Sequence, residues 1–327
     1  MATILVDSRT HAYGKAVLDA MAGVCTDLGH RCLRWHSLGN LDTSLRLLVV
    51  GKPDLVIIYN GLNCEHRSWR YRLERTGATK LYTEAGWYPQ RDHWQVDPSG
   101  INANAGWVSL PLHSEAKTPL PIRDRGDLLV IMQFDCDTQL SPLMSPWFPD
   151  MFSLVKFLVE HSRLPLRLRK HPRHEVDPRI VELARERKIP WDEAPTLAES
   201  LRACRAVATI NSSSGVEALA NHLPVLCYGR AVFRHVGAVL CLGPDGARTT
   251  AATQSLARGK SAVFVEPLTE VLDRIIHHQW SLADVPARLP GLLDKLLTER
   301  EAQASLLHPR ARGLKRLVRQ IWNRKAA

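Results

Sequence analysis

Four short clusters in this 327-residue chain combine chemically active side chains with the ends of apolar runs. The first is Gln133–Gln139, QFDCDTQ, which overlaps and follows the apolar run Leu128–Phe134. Side chains alternate in an extended segment, so Asp135 and Asp137 share one face and Cys136 takes the other. Two aspartates at a strand tip suit a nucleophile, a base or a metal ligand, whereas an aspartate capping the following turn is the plainer structural alternative. The second cluster is Arg167–Pro172, RLRKHP, where alternation puts Arg167, Arg169 and His171 on one side. Such a strand is costly to bury unless an anion lies at its end, and phosphate fits that place. An edge strand with solvated cations is the alternative.

The third cluster is Thr209–Leu219, TINSSSGVEAL. A strand-like run enters Asn-Ser-Ser-Ser-Gly and then a helix, which turns hydroxyls and backbone N–H groups toward whatever lies at the helix start. Plain capping by Ser213 or Ser214, with Glu217 completing a capping box, accounts for the same residues. It is neither a Walker loop nor a GxGxxG turn. The fourth is Tyr82–Asp97, YTEAGWYPQRDHWQVD, which reads as a long loop after a strand and holds Glu84 among Trp87, Tyr88 and Trp94. These aromatics either face a ligand such as a sugar ring or pack on the sheet end.

The elements that must hold these clusters follow a β-α-β rhythm. Strands are expected at Ala2–Asp7, Cys32–Trp35, Asp54–Asn60 and Lys80–Glu84, with helices at Lys15–Leu28 and His66–Arg75. The charged, proline-bearing stretch His113–Asp127 interrupts the pattern and marks a boundary. It then resumes with strands at Leu128–Phe134, Leu166–Lys170, Ala206–Ile210 and Pro224–Tyr228. Helices are expected at Trp147–Glu160, Pro178–Arg187, Ser214–Asn221, Thr269–His278 and Pro290–Ala304. Alternation of this kind predicts an α/β fold with parallel sheets. The expected domains are 1–120, Rossmann-like; 121–265, Rossmann-like and nucleotide-binding; and 266–327, helices and a basic tail.

The chain carries 43 Lys and Arg against 33 Asp and Glu, a net charge of +10. Seven of the basic residues fall between Arg310 and the end, without an acid. Leu314, Leu317, Val318, Ile321 and Trp322 form one apolar stripe there, so the tail reads as an amphipathic helix. A helix docked on the body and a helix on an anionic membrane surface are equally good readings. Nucleic acid ranks third for want of a binding motif. The seven scattered cysteines have neither CxxC nor zinc spacing and suit a cytoplasmic protein with reduced thiols, and no metal site is expected. The opening residues lack the basic and apolar regions of a signal peptide, and no run is long enough to span a membrane.

In order along the chain, EAGWYPQ, DPSGINA, QFDCDTQ, KHP, NSSSGVEAL and PVLCYG resemble the capsular-polysaccharide biosynthesis family of retaining β-Kdo glycosyltransferases. The resemblance runs from Glu84 to Gly229; the first 80 or so residues and the C-terminal third carry no matching motif. It implies a GT-B-like fold, with two Rossmann-like α/β/α domains facing across a cleft and a C-terminal amphipathic helix. It also implies a CMP-Kdo donor, a glycolipid or polysaccharide acceptor, no cofactor and no nucleic acid. Asp137 would be the nucleophile, with Asp135 its rival, and Glu84 the acid/base group. His171, with Arg169 and Lys170, would hold the phosphate or sugar carboxylate; Ser212, Ser213 and Ser214 would receive phosphate, and Glu217 the ribose. A peripheral place on the inner face of the inner membrane is expected. The alternatives are a CDP-glycerol-type glycerophosphotransferase and a catalytically silent nucleotide-sugar-binding subunit.

Overall fold

The computed structural model describes residues 1–7, 12–35, 52–59, 77–90, 92–115, 117–133, 140, 144–235 and 237–302. Asp135, Asp137, the helix expected at His66–Arg75 and the basic tail from Arg310 lie outside the described residues. Chain contacts divide it into two units, one of 1–62, 66–81 and 281–327, the other of 63–65 and 82–280.

In the first unit, strand β1 (Thr3–Asp7) pairs in parallel with β2 (Arg31–Trp35) on one side and β3 (Leu55–Tyr59) on the other. The five residues of β3 are all buried, as expected of a strand covered on both faces. Helix α1 (Ala12–Asp27) buries Val17, Leu18, Met21 and Cys25 at helical spacing. It approaches β3 so closely that a Cβ at Gly14 would lie 2.9 Å from the Tyr59 ring. Asp54 accepts the Thr3 N–H (2.8 Å) and pairs with Arg300 (2.6 Å), which fastens the helix of residues 284–302 to this sheet. That helix starts about two turns before the expected Pro290.

The second unit opens with an antiparallel hairpin, in which residues 82–85 of β4 (Thr79–Ala85) pair with β5 (Trp94–Asp97). The stretch expected to be one long loop therefore contains a strand. Its larger sheet comprises β6 (Leu128–Ile131), β7 (Leu166–Arg169), β8 (Ala206–Thr209), β9 (Val225–Cys227) and β10 (Leu240–Cys241). All pairings are parallel, and the spatial order is β10-β9-β8-β6-β7. Central β6 and β8 are wholly buried, whereas edge strand β7, LRLR, alternates between buried and half-buried.

Helices α2 (Met151–His161), α3 (Pro178–Glu186) and α4 (Leu197–Ala203) precede β8. Among the described residues of this unit, three more follow it: α5 (Ser214–Ala220), α6 (Gly246–Ala257) and α7 (Val265–His277). Helix α2 starts at Met151, rather than at Trp147, because the Asp150 carboxylate accepts the Ser153 N–H at 2.8 Å and caps it there. Helix α7 starts before the expected Thr269. After α7, β11 (Gln279–Trp280) pairs antiparallel with β5.

Candidate functional site

The order of the five-stranded sheet fixes where a ligand can sit. From β6 the chain moves outward to β7, then returns to the other flank of β6 to lay down β8, β9 and β10. The crevice between diverging connections therefore opens beyond the carboxyl ends of β6 and β8. Gln133 follows β6 and Asn211 follows β8, and the two meet there. Gln133 Nε2 donates to Asn211 Oδ1 (2.9 Å), and the Asn211 N–H donates to Gln133 Oε1 (3.2 Å). Asn211 Nδ2 donates to the Met144 carbonyl (3.2 Å). Both side chains are buried, so these bonds satisfy polar groups that water does not reach. Gln133 was legible only as the start of a motif, and Asn211 only as the residue before the serines.

Beyond Asn211, the serine run forms the turn into α5. The Ser212 N–H donates to Thr209 Oγ1, and the Ser214 N–H to Ser212 Oγ, each at 3.2 Å. Ser213 occupies the N-cap position but has helical backbone angles and makes no side-chain bond to the helix. Of the two expected caps, Ser213 therefore makes none and Ser214 already lies inside the helix; the hydroxyl of Ser212, two residues before the helix, takes the turn N–H instead. Gly215 is required here: a Cβ would come within 2.4 Å of the Phe233 ring. Burial raises the proton affinity of the half-buried Glu217, while the charge of Arg169 opposes the shift.

At the end of β7 the arginines are already compensated. Arg167 donates to Asp192 (2.7 Å) and Asp127 (3.2 Å). Arg169 donates to Asp192, to Ser200 Oγ (2.6 Å) and to the Ala194 carbonyl (3.0 Å). Burial of Asp192 works against its ionisation, but Ser200, Arg169 and Arg167 together hold its carboxyl below the usual carboxylate range. The anion that this strand needs is thus a side chain of the protein, and the cations are not solvated. Lys170 lies over the Trp191 ring, 4.9 Å from its centroid.

His171 is half-buried and lines a small cleft with Gln133, Met132, Met151, His174 and Asp177. Gln133 therefore belongs both to this cleft and to the turn at Asn211. The Arg173 N–H donates to His171 Nδ1 (3.3 Å), which leaves the neutral ring's proton on Nε2. Burial lowers the pKa of His171, as do the charges of His174 and Arg173, and the two imidazole centroids are 4.9 Å apart.

Glu84 stands on the β4–β5 hairpin, half-buried, with Gln95 as its cross-strand partner. Its Oε1 accepts its neighbour's N–H from Ala85 (2.9 Å). The aromatics around it are structural: Trp87, Trp94 and Trp107 are all buried, and Trp87 meets Trp107 edge to face at 5.4 Å. Trp107 in turn stacks on His278. Packing on the sheet end, rather than stacking on a sugar, accounts for these three tryptophans. Asp97 folds the next loop by accepting the N–H groups of Ser99 (2.7 Å), Gly100 (3.3 Å) and Gly106 (3.1 Å). From that loop Asn104 reaches Met144 Sδ (3.5 Å), and the Met144 carbonyl holds Asn211.

Among the described residues, no group of three or more His, Cys, Asp or Glu side chains could hold a metal, and no helix is long and apolar enough to cross a membrane. Residues 173–270, which include the serine run and Glu217, match the family described as capsule polysaccharide biosynthesis protein. Protein FixF of Sinorhizobium fredii is 26% identical over 224 residues, which cover 61% of this chain. The match spans about half of FixF, 54% of its length. Among solved structures, the β-Kdo 2,7 transferase of Thermosulfurimonas dismutans KpsC superposes with a TM-score of 0.52 at 13% identity. The superposition covers 84% of this chain and 99% of that one. The KpsC β-Kdo 2,4 transferase gives a TM-score of 0.45 at 14% identity, covering 90% of this chain and 98% of its own. The switch-point crevice lies in the same unit as the segment that matches the capsule polysaccharide biosynthesis family, and the superposition on the 2,7 transferase shows a GT-B-type fold.

Proposed function

We propose that this protein transfers Kdo, or a related acidic sugar, from a CMP-sugar to a glycolipid or polysaccharide acceptor during capsule synthesis, with retention of configuration. The observation that carries the reading is the convergence of Gln133, the Asn211–Ser214 turn and His171 at one switch-point crevice, beside a segment that matches capsule synthesis proteins. In this reading, His171 donates through Nε2 to the leaving phosphate, and Lys170 and the hydroxyls of Ser212, Ser213 and Ser214 share the charge that develops as CMP departs. Glu217 takes the ribose hydroxyls. Arg169, committed to Asp192, acts on Glu217 through its field rather than by direct contact with phosphate.

Retention requires two displacements, hence a carboxylate nucleophile and a second carboxylate to activate the acceptor. Asp137 is assigned the first task and Glu84 the second. Asp137→Asn is expected to abolish transfer and leave CMP binding within a few-fold; normal turnover would refute the assignment. The chain needs no cofactor in this scheme. The basic tail is assigned to the anionic inner face of the cytoplasmic membrane, and its removal should release the protein from anionic vesicles in a sedimentation assay. The donor class is tested by thermal shift, because a ligand that binds only the native state raises its melting temperature. Stabilisation by CMP over UMP, GDP and AMP is expected; stabilisation by UMP instead would overturn the Kdo reading.

A further inference from the structure

Two cysteines end neighbouring strands next to this turn. Cys227 closes β9, Cys241 closes β10, and the two are register partners. Adjacent strands run about 4.8 Å apart with side chains at paired positions on the same face. That spacing falls within the Cα separation of about 4.4–6.8 Å at which a disulfide closes. Both thiols are free and both pack on one apolar cluster. Their surroundings differ. Cys227 is fully buried, and its Sγ–H donates to the carbonyls of Ile210 (3.3 Å) and Gly229 (3.2 Å). Cys241 is half-buried beside Arg234 and Arg248, and Arg248 Nη2 also donates to its carbonyl (3.2 Å). Interaction with Cys227 and the two guanidinium charges lowers the Cys241 pKa against the effect of burial, while Cys241 and burial raise that of Cys227.

We propose that Cys241 and Cys227 form a dithiol site for oxidative modification by hydroperoxides, with Cys241 the reacting sulfur and Cys227 the resolving one. The Cys241 thiolate attacks one peroxide oxygen and the O–O bond breaks. A sulfenic acid forms on Cys241, and the departing oxygen takes up a proton to leave as water or an alcohol. Cys227 then attacks the Cys241 sulfur; the S–S bond forms, the S–O bond breaks, and hydroxide leaves as water with the proton from Cys227. Two electrons pass from the thiol pair to the peroxide. Closing the disulfide removes the Cys227 proton, and with it the bonds to Ile210 and Gly229. Ile210 directly precedes Asn211, so the Asn211–Ser214 turn loses a support from below. The site does not depend on the assignment of the donor.

The test uses the full chain, first reduced, then exposed to hydrogen peroxide, blocked with N-ethylmaleimide and digested with trypsin, which cuts between the cysteines at Arg230 and Arg234. The expected product is the Cys227 and Cys241 peptides joined with the loss of two hydrogens and separated by dithiothreitol. Amide exchange in the 210–216 segment should rise on oxidation and return on reduction. Cys241→Ser, a replacement at a half-buried position, should lose the linked product. Maleimide on both cysteines, sulfinic acid on Cys241 without a link, linkage of either to another cysteine, or unchanged exchange at 210–216 would each overturn the proposal. Peptide masses are read without nucleotide, so failure of the CMP reading leaves this result standing.

Discussion

Gln133 and Asn211 hold each other by two hydrogen bonds, side chain to side chain at 2.9 Å and backbone to side chain at 3.2 Å, where the chain changes direction across the sheet. One bond joins the end of β6 to the end of β8; the other fixes the peptide that starts the serine turn. Replacing Gln133 by Leu fills similar space but leaves the Asn211 N–H and Oδ1 without these partners. The expected loss is about 1–3 kcal/mol, the cost of stranding buried polar groups. A urea titration measures it. In the proposed function CMP binding weakens more than tenfold in that variant, while Cys227 and Cys241 keep their chemistry.

Asp192 is the hub of the charge network below the site. Removing it leaves the largely buried charge of Arg169 without its carboxylate and Arg167 with Asp127 alone. Breaking a buried pair from one side costs about 3–5 kcal/mol. Asp192→Ala is therefore expected to unfold at much lower urea. The double variant Asp192→Leu with Arg169→Met should recover part of the loss, because the pair then disappears together. If Arg169 instead bound phosphate directly, Arg169→Lys would weaken CMP binding without changing stability.

How far these features can be read in advance depends on whether they are local. Strands β6 and β8 are legible because burial on both faces demands a continuous apolar run. The alternation of Arg167 and Arg169 is equally visible, but their partner is not. Asp192 arrives through a bridge between Leu168 and Trp191, a register that nothing near either residue encodes. The tryptophans mark an unusual loop without revealing that Trp87 and Trp107 pack on each other across the β5 strand segment. Likewise, a serine run announces a turn, yet only the backbone angles of Ser213 decide which hydroxyl takes which N–H. The serine turn and His171 were legible as motifs; Gln133 as the link between them was not.

Glu217 sets function against stability. Burial raises its pKa despite the opposing field of Arg169. A carboxyl with a raised folded-state pKa contributes stability below its unfolded value, and that contribution fades as pH rises through the folded value. At neutral pH the ionised group is therefore a net burden on the unliganded protein. Glu217→Gln should melt slightly higher than the parent at pH 7.5 and lose this advantage near pH 4, where both side chains are neutral. In the proposed function the same variant binds CMP more weakly, since an amide is a poorer acceptor for ribose hydroxyls. Equal CMP affinity in the two proteins would remove Glu217 from the ribose site.

His171 gives the complementary pH dependence. Its pKa lies below the ordinary 6.5 through burial and the charges of His174 and Arg173, so the unfolded chain takes up this proton first. The resulting stability is full above pH 6.5 and is lost as pH falls through the lower folded value. Urea midpoints between pH 8 and 5 should fall less steeply in His171→Gln than in the parent. A phosphate in the cleft reverses the preference by stabilising the imidazolium, at the cost of the bond from the Arg173 N–H. Parent CMP affinity should therefore rise on acidification relative to His171→Gln. Comparing the two at each pH cancels the nucleotide's own phosphate titration near pH ~6. Parallel affinity profiles would show that His171 does not touch the phosphate.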